Sequence, residues 1–147
     1  MFIGREEELN FLEDRYNSAD GQLVVLYGRR RVGKTELLRQ FCQDKEHIFY
    51  TCTEIIDEKQ LEAFSQRLLE KNKQAAKYIT RFSDWEQALL SITELAKEKK
   101  IVVVIDEFPY MVKGNNAIPS ILQKLWDEVL KQSNVCLLYT SPSPRDK

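Results

Sequence analysis

The chain lacks the features that would place it in several large classes of protein. No apolar stretch in its 147 residues reaches membrane-spanning length, and the start is charged by residue 5, unlike a signal peptide. Cys42, Cys52 and Cys136 form no pair at metal-ligand spacing, and an odd number without a secretion signal predicts reduced thiols in the cytoplasm. The single histidine, His47, is expected at the start of a strand rather than in a metal site. No membrane partner is expected.

An excess of charge of one sign is also absent. The formal net charge is −1 with 31% charged residues, so the composition as a whole does not indicate a nucleic-acid-binding protein. The hydrophobic fraction of 43% is ordinary, and the length suffices for one domain with a real core. A contact with nucleic acid would therefore need a local basic patch, for which Arg29, Arg30 and Arg31 are the main candidate.

Short apolar runs alternate with amphipathic segments along the chain. Strands are predicted at residues 22–27, 47–52, 101–106 and 134–139. Helices are predicted at residues 5–18, 35–42, 58–72, 83–100 and 118–132, with a loop at 107–118 that contains Pro109 and Gly114. Ser83 and Glu86 predict a capping box at the start of the fourth helix. This alternation predicts an α/β fold with a central parallel sheet.

A glycine-framed motif, G-x-x-x-x-G-K-T, lies between the first predicted strand and the helix that follows it. Gly28, Gly33, Lys34 and Thr35 are its fixed positions. In this order of strand, loop and helix, backbone N–H groups can surround a β-phosphate while the helix N-terminus adds partial positive charge. Lys34 can reach the β- and γ-phosphates, and the Thr35 hydroxyl can ligate Mg²⁺. The residues predicted to line this phosphate site are Gly28, Arg29, Arg30, Arg31, Val32, Gly33, Lys34, Thr35 and Glu36.

Three arginines occupy variable positions of this loop. Because the phosphate cradle is built from backbone, their side chains can point outward and add a positive field for an anionic ligand. Arg29, Arg30 and Arg31 are then either solvated charges that only favour phosphate binding, or include one that pairs with an acidic catalytic residue or a partner and so gates hydrolysis. The sequence leaves both alternatives open.

A pair of acidic residues follows the most apolar predicted strand. Asp106 and Glu107 come directly after IVVVI (101–105), at the strand end where ligands gather in open α/β sheets. Asp106 is predicted to hold the Mg²⁺ shell together with Thr35. Glu107 is predicted to orient or deprotonate an attacking water, which argues against a small kinase. The predicted catalytic group is Lys34, Asp106 and Glu107.

These segments together resemble the archaeal-type ATPase family, a STAND-like branch of the AAA+ P-loop ATPases. The matching stretches are FIGREEEL (2–9), YGRRRVGKTELLRQF (27–41), SDWEQAL (83–89), VVVIDEFPYM (103–111) and ILQKLWDE (121–128). The resemblance implies a three-layer P-loop sandwich that takes ATP or ADP with Mg²⁺. It also implies that the opening segment lies against the adenine, which concerns Phe2, Ile3, Gly4 and Arg5.

The resemblance implies Mg²⁺-dependent ATP hydrolysis as the activity. The alternative is a regulatory module that uses the nucleotide only as a switch, with a nucleic acid or a protein as its partner. A salt-dependent affinity for duplex would favour the nucleic-acid version.

The end of the chain departs from the family pattern. The family continues after its fourth strand with a small polar motif, a fifth strand and a helical lid, whereas this chain has YTSPSPRDK (139–147). Its Ser-Pro steps cannot continue a helix or a central strand. We interpret residues 1–138 as an ATPase core that is incomplete at its C-terminus, and 139–147 as a disordered or non-native tail. In the family's strand order, 5-1-4-3-2, this leaves the loop-bearing strand at an edge, and we expect nucleotide binding with weak or no turnover.

Overall fold

Four parallel strands form the central sheet of the computed structural model, which describes residues 5–27 and 33–141. The strands are β1 (Gln22–Tyr27), β2 (His47–Thr51), β3 (Ile101–Asp106) and β4 (Val135–Ser141). Their order across the sheet is β1-β4-β3-β2, with every neighbouring pair parallel. The predicted parallel sheet is confirmed. Within the described part of the chain β1 is an edge strand, as the order 1-4-3-2 requires.

The helices connect and cover these strands. They are α1 (Arg5–Tyr16), α2 (Lys34–Cys42), α3 (Asp57–Lys71), α4 (Lys73–Ala76), α5 (Trp85–Glu98), α6 (Phe108–Gly114) and α7 (Ile118–Glu128), followed by a 3-10 helix at Leu130–Gln132. None of the helices in the described ranges is long and apolar enough to cross a membrane. Helices of this kind connect the strands of a parallel sheet. The chain must cross back to the end where the previous strand began before the next strand can run in the same direction.

Side chains from alternate residues of the strands divide the core into two layers. Val102 and Val104 of β3 face α1 and α2, whereas Ile101, Val103 and Ile105 face the layer formed by α3, α5, α6 and α7. This division follows from the twofold alternation of side chains along a strand. All of β3 is buried, as expected of a strand with helices on both sides. The sheet is therefore the middle of three layers, as predicted.

The predicted apolar faces of the long helices are confirmed. Both α3 and α5 bury one stripe of residues at helical spacing and expose the opposite face. The buried residues predicted for these helices are Leu61, Phe64 and Leu68 on α3, and Trp85, Leu89, Ile92 and Ala96 on α5. The predicted capping box from Ser83 to Glu86 is wrong, since Asp84 is the N-cap and its carboxylate accepts the Gln87 N–H at 2.8 Å.

The predicted loop at 107–118 is wrong, because most of it is the helix α6. Pro109 lies in the first turn, where its missing N–H costs no hydrogen bond, and Gly114 is the last residue. The two residues thus stand at the two ends of one short helix and not within a loop. Phe108 and Met111 are the residues of this helix that are buried. The following helix is also shorter than predicted, since α7 ends at Glu128.

The fourth strand is longer than predicted. β4 continues to Ser141, two residues beyond the predicted end, and residues 139–141 pair with β1 in register. These three residues therefore belong to the sheet and not to the tail that the sequence indicated. Residues 142–147 lie outside the described residues, and their assignment to a tail stays a prediction.

Gly21 is the glycine whose replacement the packing resists most directly. A Cβ built on it would lie 2.2 Å from the Leu130 carbonyl oxygen and 2.8 Å from that of Ser133. Both contacts are to backbone, and the Gly21 N–H already donates to the Lys131 carbonyl at 3.1 Å. The turn before β1 is thus packed directly against the chain that enters β4.

We expect Gly21→Ala to lower the free energy of unfolding by about 1–3 kcal/mol, because the backbone at Leu130 and Ser133 must move. Gly114→Ala is the matched control, since its Cβ would meet its nearest atoms at 3.5 Å. That control should be neutral or stabilising by up to ~1 kcal/mol, as expected of alanine in a helix. Urea unfolding of both variants measures the difference, and equal stabilities would contradict the close packing.

All three cysteines are free and buried. Burial raises the pKa of the Cys42 and Cys52 thiols to about 12 and that of Cys136 to about 11. Because the thiolate is the reactive form, we expect a thiol-specific disulfide reagent at pH 8 to react with the folded protein at least about 100-fold more slowly than with the urea-unfolded chain. Rapid reaction of one thiol in the folded protein would show that its site is open.

Candidate functional site

The phosphate-loop helix begins with a residue in the left-handed region. Gly33 has φ 83° and is the N-cap of α2, and its carbonyl accepts the Leu37 N–H at 2.8 Å. Glycine adopts this conformation without the steric cost that a Cβ would add. Lys34 and Thr35 follow as the first two residues of the helix, with Glu36 exposed beside them. The partial positive charge of a helix N-terminus therefore lies at the position that the motif predicts.

A hydrogen bond joins this helix to the end of β3. The Thr35 hydroxyl donates to Asp106 Oδ2 at 2.8 Å, although 71 positions separate the two residues in sequence. Asp106 is the last residue of β3, and only 2% of its surface is exposed. The two residues predicted to share a Mg²⁺ ion are thus in direct contact.

The other carboxylate oxygen of Asp106 accepts hydrogen bonds from Glu107 and Thr140. Asp106 Oδ1 accepts the Glu107 N–H at 3.1 Å and the Thr140 hydroxyl at 3.1 Å. The Thr140 hydroxyl oxygen in turn accepts the Glu107 N–H at 2.8 Å. A buried carboxylate is costly unless hydrogen bonds compensate it, and here three donors on three different elements do so.

Glu107 has an unusual backbone for a residue with a side chain. With φ 57° and ψ 41° it is the only residue other than glycine with positive φ in residues 5–27 and 33–141. This left-handed turn directs the chain from β3 into α6, and Glu107 is the N-cap of that helix. Strain of this kind persists only where surrounding contacts hold it, and it is often found at functional sites. We call Asp106 and Glu107 the acidic turn.

Thr140 is a site residue that the sequence did not indicate. It is buried on β4, one residue past the pairing of Ile105 with Tyr139, which places it beside Asp106. The sequence interpretation had assigned it to the tail. The available signal was a polar residue at the end of an apolar strand, since the carboxyl ends of parallel strands meet at one edge.

Cys52 lies behind the acidic turn, at the end of β2. Its N–H donates to the Asp106 carbonyl at 2.9 Å. Burial raises the pKa of its thiol, a hydrogen bond from the Met111 backbone lowers it, and the charges of Asp106 and Glu107 raise it further. The thiolate is the nucleophilic form of cysteine, and a buried thiol with a raised pKa stays protonated. Cys52 is therefore a structural neighbour of the site rather than a nucleophile.

The oxygen atoms at this edge suit a magnesium ion. A hydroxyl and a carboxylate are hard ligands, and Mg²⁺ in nucleotide sites is usually held by one or two protein oxygens together with phosphates and water. The described residues contain no cluster of three or more histidine, cysteine or acidic side chains that could hold a metal without a nucleotide. The pair Thr35 and Asp106 therefore fits a metal that arrives with its phosphates.

Several of the predicted contacts cannot be placed. Arg5 begins α1, but its side chain is outside what the structure describes. The other predicted site residues that lie outside the described ranges are Phe2, Ile3, Gly4, Gly28, Arg29, Arg30, Arg31 and Val32. The adenine contacts and the role of the three arginines stay predictions.

An open cavity of about 660 Å³ lies at the other end of the sheet. It is lined by Ile101, the first residue of β3, and by Lys71, Tyr78 and Lys99, with Glu46 on the same wall. None of the predicted site residues lines it. The mixture of lysine and glutamate side chains gives no single charge preference, so we place the functional site at the carboxyl edge, where the acidic turn is.

Comparison with known sequences gives one family. The model of an ATPase domain found predominantly in Archaea matches residues 2–143. An uncharacterized protein of Methanocaldococcus jannaschii is 33% identical over 143 residues, which are 97% of this chain and 30% of that protein. An uncharacterized ATP-binding protein of the same organism is 52% identical over 46 residues, 31% of this chain and 78% of that protein.

Solved structures share the fold. A Walker-type ATPase of Pyrococcus abyssi matches with a TM-score of 0.67 and 26% identity, over 93% of this chain and 44% of that one. Cdc6p from Pyrobaculum aerophilum matches with a TM-score of 0.62 over 97% of this chain and 40% of that one, and at 17% identity shows the fold alone. The predicted P-loop fold of the AAA+ type is confirmed. The chain spans less than half the length of either protein.

The contact between Thr35 and Asp106 predicts how the ligand-free protein responds to substitution. Thr35→Val keeps the shape of the side chain but leaves Asp106 Oδ2 without its donor, so we expect a loss of about 1 kcal/mol or more in the free energy of unfolding. Thr35→Ser keeps the hydroxyl and should cost less than ~1 kcal/mol. Urea unfolding without nucleotide compares them, and equal values for the two variants would contradict the hydrogen bond.

Proposed function

Because the chain belongs to the ATPase domain family found predominantly in Archaea, we propose that it binds ATP with Mg²⁺ and hydrolyses the γ-phosphate bond. The observation that carries this proposal is the hydrogen bond between Thr35 on the phosphate-loop helix and Asp106 at the end of β3. Phosphoryl transfer requires a phosphate cradle and an acidic metal site next to each other. These two parts are distant in sequence, and the contact joins them.

The residues at the helix N-terminus bind the phosphates in this proposal. Gly33 and the start of α2 supply backbone N–H groups and partial positive charge, and Lys34 contacts the β- and γ-phosphates. Thr35 and Asp106 hold the Mg²⁺ shell, which supplies positive charge to the β- and γ-phosphate oxygens when bound. Residues 28–32 complete the cradle, and Phe2 to Arg5 lie beside the adenine.

Glu107 is the residue that we assign to the attacking water. It follows Asp106 directly, its backbone is left-handed, and it is half-buried whereas Asp106 is buried. A carboxylate that accepts a hydrogen bond from water can orient it for in-line attack and take its proton. The strained backbone supports this role, since functional residues are often held in such conformations.

Binding without hydrolysis is the second function that the site supports. A nucleotide switch needs a structural element that responds to the ligand, and the acidic turn begins a helix whose far end forms an ion pair with Glu54, between β2 and α3. A protein or nucleic-acid partner would read that response. The free thiols support a cytoplasmic setting for either function.

A binding assay tests the phosphate site. We expect Lys34→Ala to weaken the affinity for a fluorescent ATP analogue about 10-fold or more, because a charge-assisted contact to the phosphates is lost. Lys97→Ala removes an exposed charge in the last turn of α5, which is not part of the proposed site, and should leave the affinity unchanged. Equal affinities for the parent protein and Lys34→Ala would show that the site assignment is wrong.

A turnover assay separates the enzyme from the switch. If Glu107 activates water, Glu107→Gln should keep the affinity for the analogue within about threefold and lower phosphate release about 10²- to 10⁴-fold. Nucleotide binding by the parent protein with no phosphate release above a no-protein control would favour the switch. Phosphate release that is unchanged in Glu107→Gln would remove this residue from the mechanism.

A further inference from the structure

The helix α6 connects the acidic turn to a second, exposed part of the same sheet edge. Its N-cap is Glu107, directly after β3, and its last residue is Gly114. The chain between β2 and α3, residues 52–56, lies beside the far end of this helix. We call these residues the β2–α3 loop. Seven residues of helix thus separate the proposed catalytic carboxylate from a loop on the neighbouring strand.

Three contacts attach the end of α6 to this loop and to the start of α3. Lys113 forms an ion pair with Glu54. The Asn115 side-chain amide donates to Asp57 Oδ2 at 3.3 Å. A Cβ added to Gly114 would lie at ordinary van der Waals distance, 3.5 Å, from the Ile55 carbonyl oxygen, so the helix end lies next to the loop. Movement of the helix end would therefore displace the loop.

The loop is also attached to the acidic turn at its beginning. The Cys52 N–H donates to the Asp106 carbonyl, so the loop starts at one end of the segment 106–115 and finishes at the other. Between these attachments Ile55 is 39% exposed and Ile56 is 65% exposed. These are large apolar side chains that the fold does not cover. They lie on the part of the loop between its two attachments, so a change at either attachment can move them.

The acidic turn is held by a small number of contacts in a conformation that costs free energy. Its left-handed conformation at Glu107 carries a steric cost, and the Glu107 N–H is held by Asp106 Oδ1 and by the Thr140 hydroxyl. The same Asp106 carboxylate accepts from Thr35. A ligand that engages Thr35 and Asp106 Oδ2 therefore acts on the carboxylate whose other oxygen holds the turn.

We propose that α6 transmits the state of the acidic turn to the β2–α3 loop, so that nucleotide binding changes the exposure of Ile55 and Ile56. The inference rests on the proposed nucleotide site. The contacts at the far end of α6 stabilise the ligand-free arrangement, and by linkage their removal favours the ligand-bound one. The exposed pair of isoleucines is then the surface whose availability reports on the nucleotide.

Trp85 is a natural reporter of this connection. Its indole N–H donates to Asp57 Oδ1 at 2.8 Å, and the side chain is 3% exposed. The other carboxylate oxygen of Asp57 takes the contact from Asn115. The chain has two tryptophans, so Trp126→Phe leaves Trp85 as the single source of tryptophan fluorescence.

The first experiment adds a non-hydrolysable ATP analogue with Mg²⁺ to the Trp126→Phe protein. We expect a change in Trp85 emission and faster amide exchange at residues 53–56. The double substitution Lys113→Ala and Asn115→Ala should abolish both changes and tighten analogue binding about fivefold or more, the lower end of usual coupling between sites. Lys124→Ala removes a comparable exposed ion pair, with Glu86. It should alter neither the change in Trp85 emission nor the change in loop exchange.

The second experiment needs no nucleotide. Thr140→Val removes one of the two acceptors of the Glu107 N–H, whereas Thr140→Ser keeps it. Thr140 lies on β4, across β3 from the loop, so its effect must travel through the acidic turn. We expect amide exchange at Thr53 and Ile55 to be about fivefold faster in Thr140→Val than in Thr140→Ser.

The two experiments separate the inference from the proposed function. An analogue that fails to bind, with the loop amides still faster in Thr140→Val, would remove the nucleotide site and leave the mechanical connection intact. An analogue that binds without changing Trp85 or the loop amides would overturn the inference. Loop amides within twofold of each other in Thr140→Val and Thr140→Ser would overturn it too.

Discussion

The hydrogen bonds to the buried Asp106 carboxylate are the interaction on which the site depends. Asp106 ends the most buried strand, so its charge must be compensated by donors from the surrounding elements. Those donors are Thr35 on α2, Thr140 on β4 and the N–H of Glu107, which starts the chain into α6. One carboxylate thereby joins the phosphate-loop helix, the neighbouring strand and the acidic turn.

The parallel sheet makes this meeting possible. Strands that run in the same direction end at the same edge, and helices on both faces make β3 a fully buried strand with a polar residue only at its end. The layers of helices have different roles. The layer of α1 and α2 presents the helix that we propose binds phosphate, whereas the other layer contains α6 and supports the β2–α3 loop. The site lies where the two layers meet the sheet edge.

Local patterns allowed much of this architecture to be predicted. The β-branched run 101–106, the amphipathic helices and the glycine frame are each readable over a few residues, because side-chain periodicity and backbone constraints are local. The prediction failed where the same residue types serve different contexts. Proline and glycine are common next to helix ends, but here Pro109 and Gly114 lie at the two ends of one helix. Residues YTS (139–141) continue β4 because their backbone pairs with β1. Backbone pairing between distant segments leaves little trace in local composition.

Sequence patterns are enough to give the alternation of strands and helices, the glycine frame and the two carboxylates after a buried strand. Three features come from the folded chain: which carboxylate is buried and bonded to Thr35, the left-handed backbone of Glu107, and the position of Thr140 beside Asp106. The cause is distance along the chain. A contact across 71 positions depends on the register of the sheet and the packing of two layers, and neither of these is a property of any short segment.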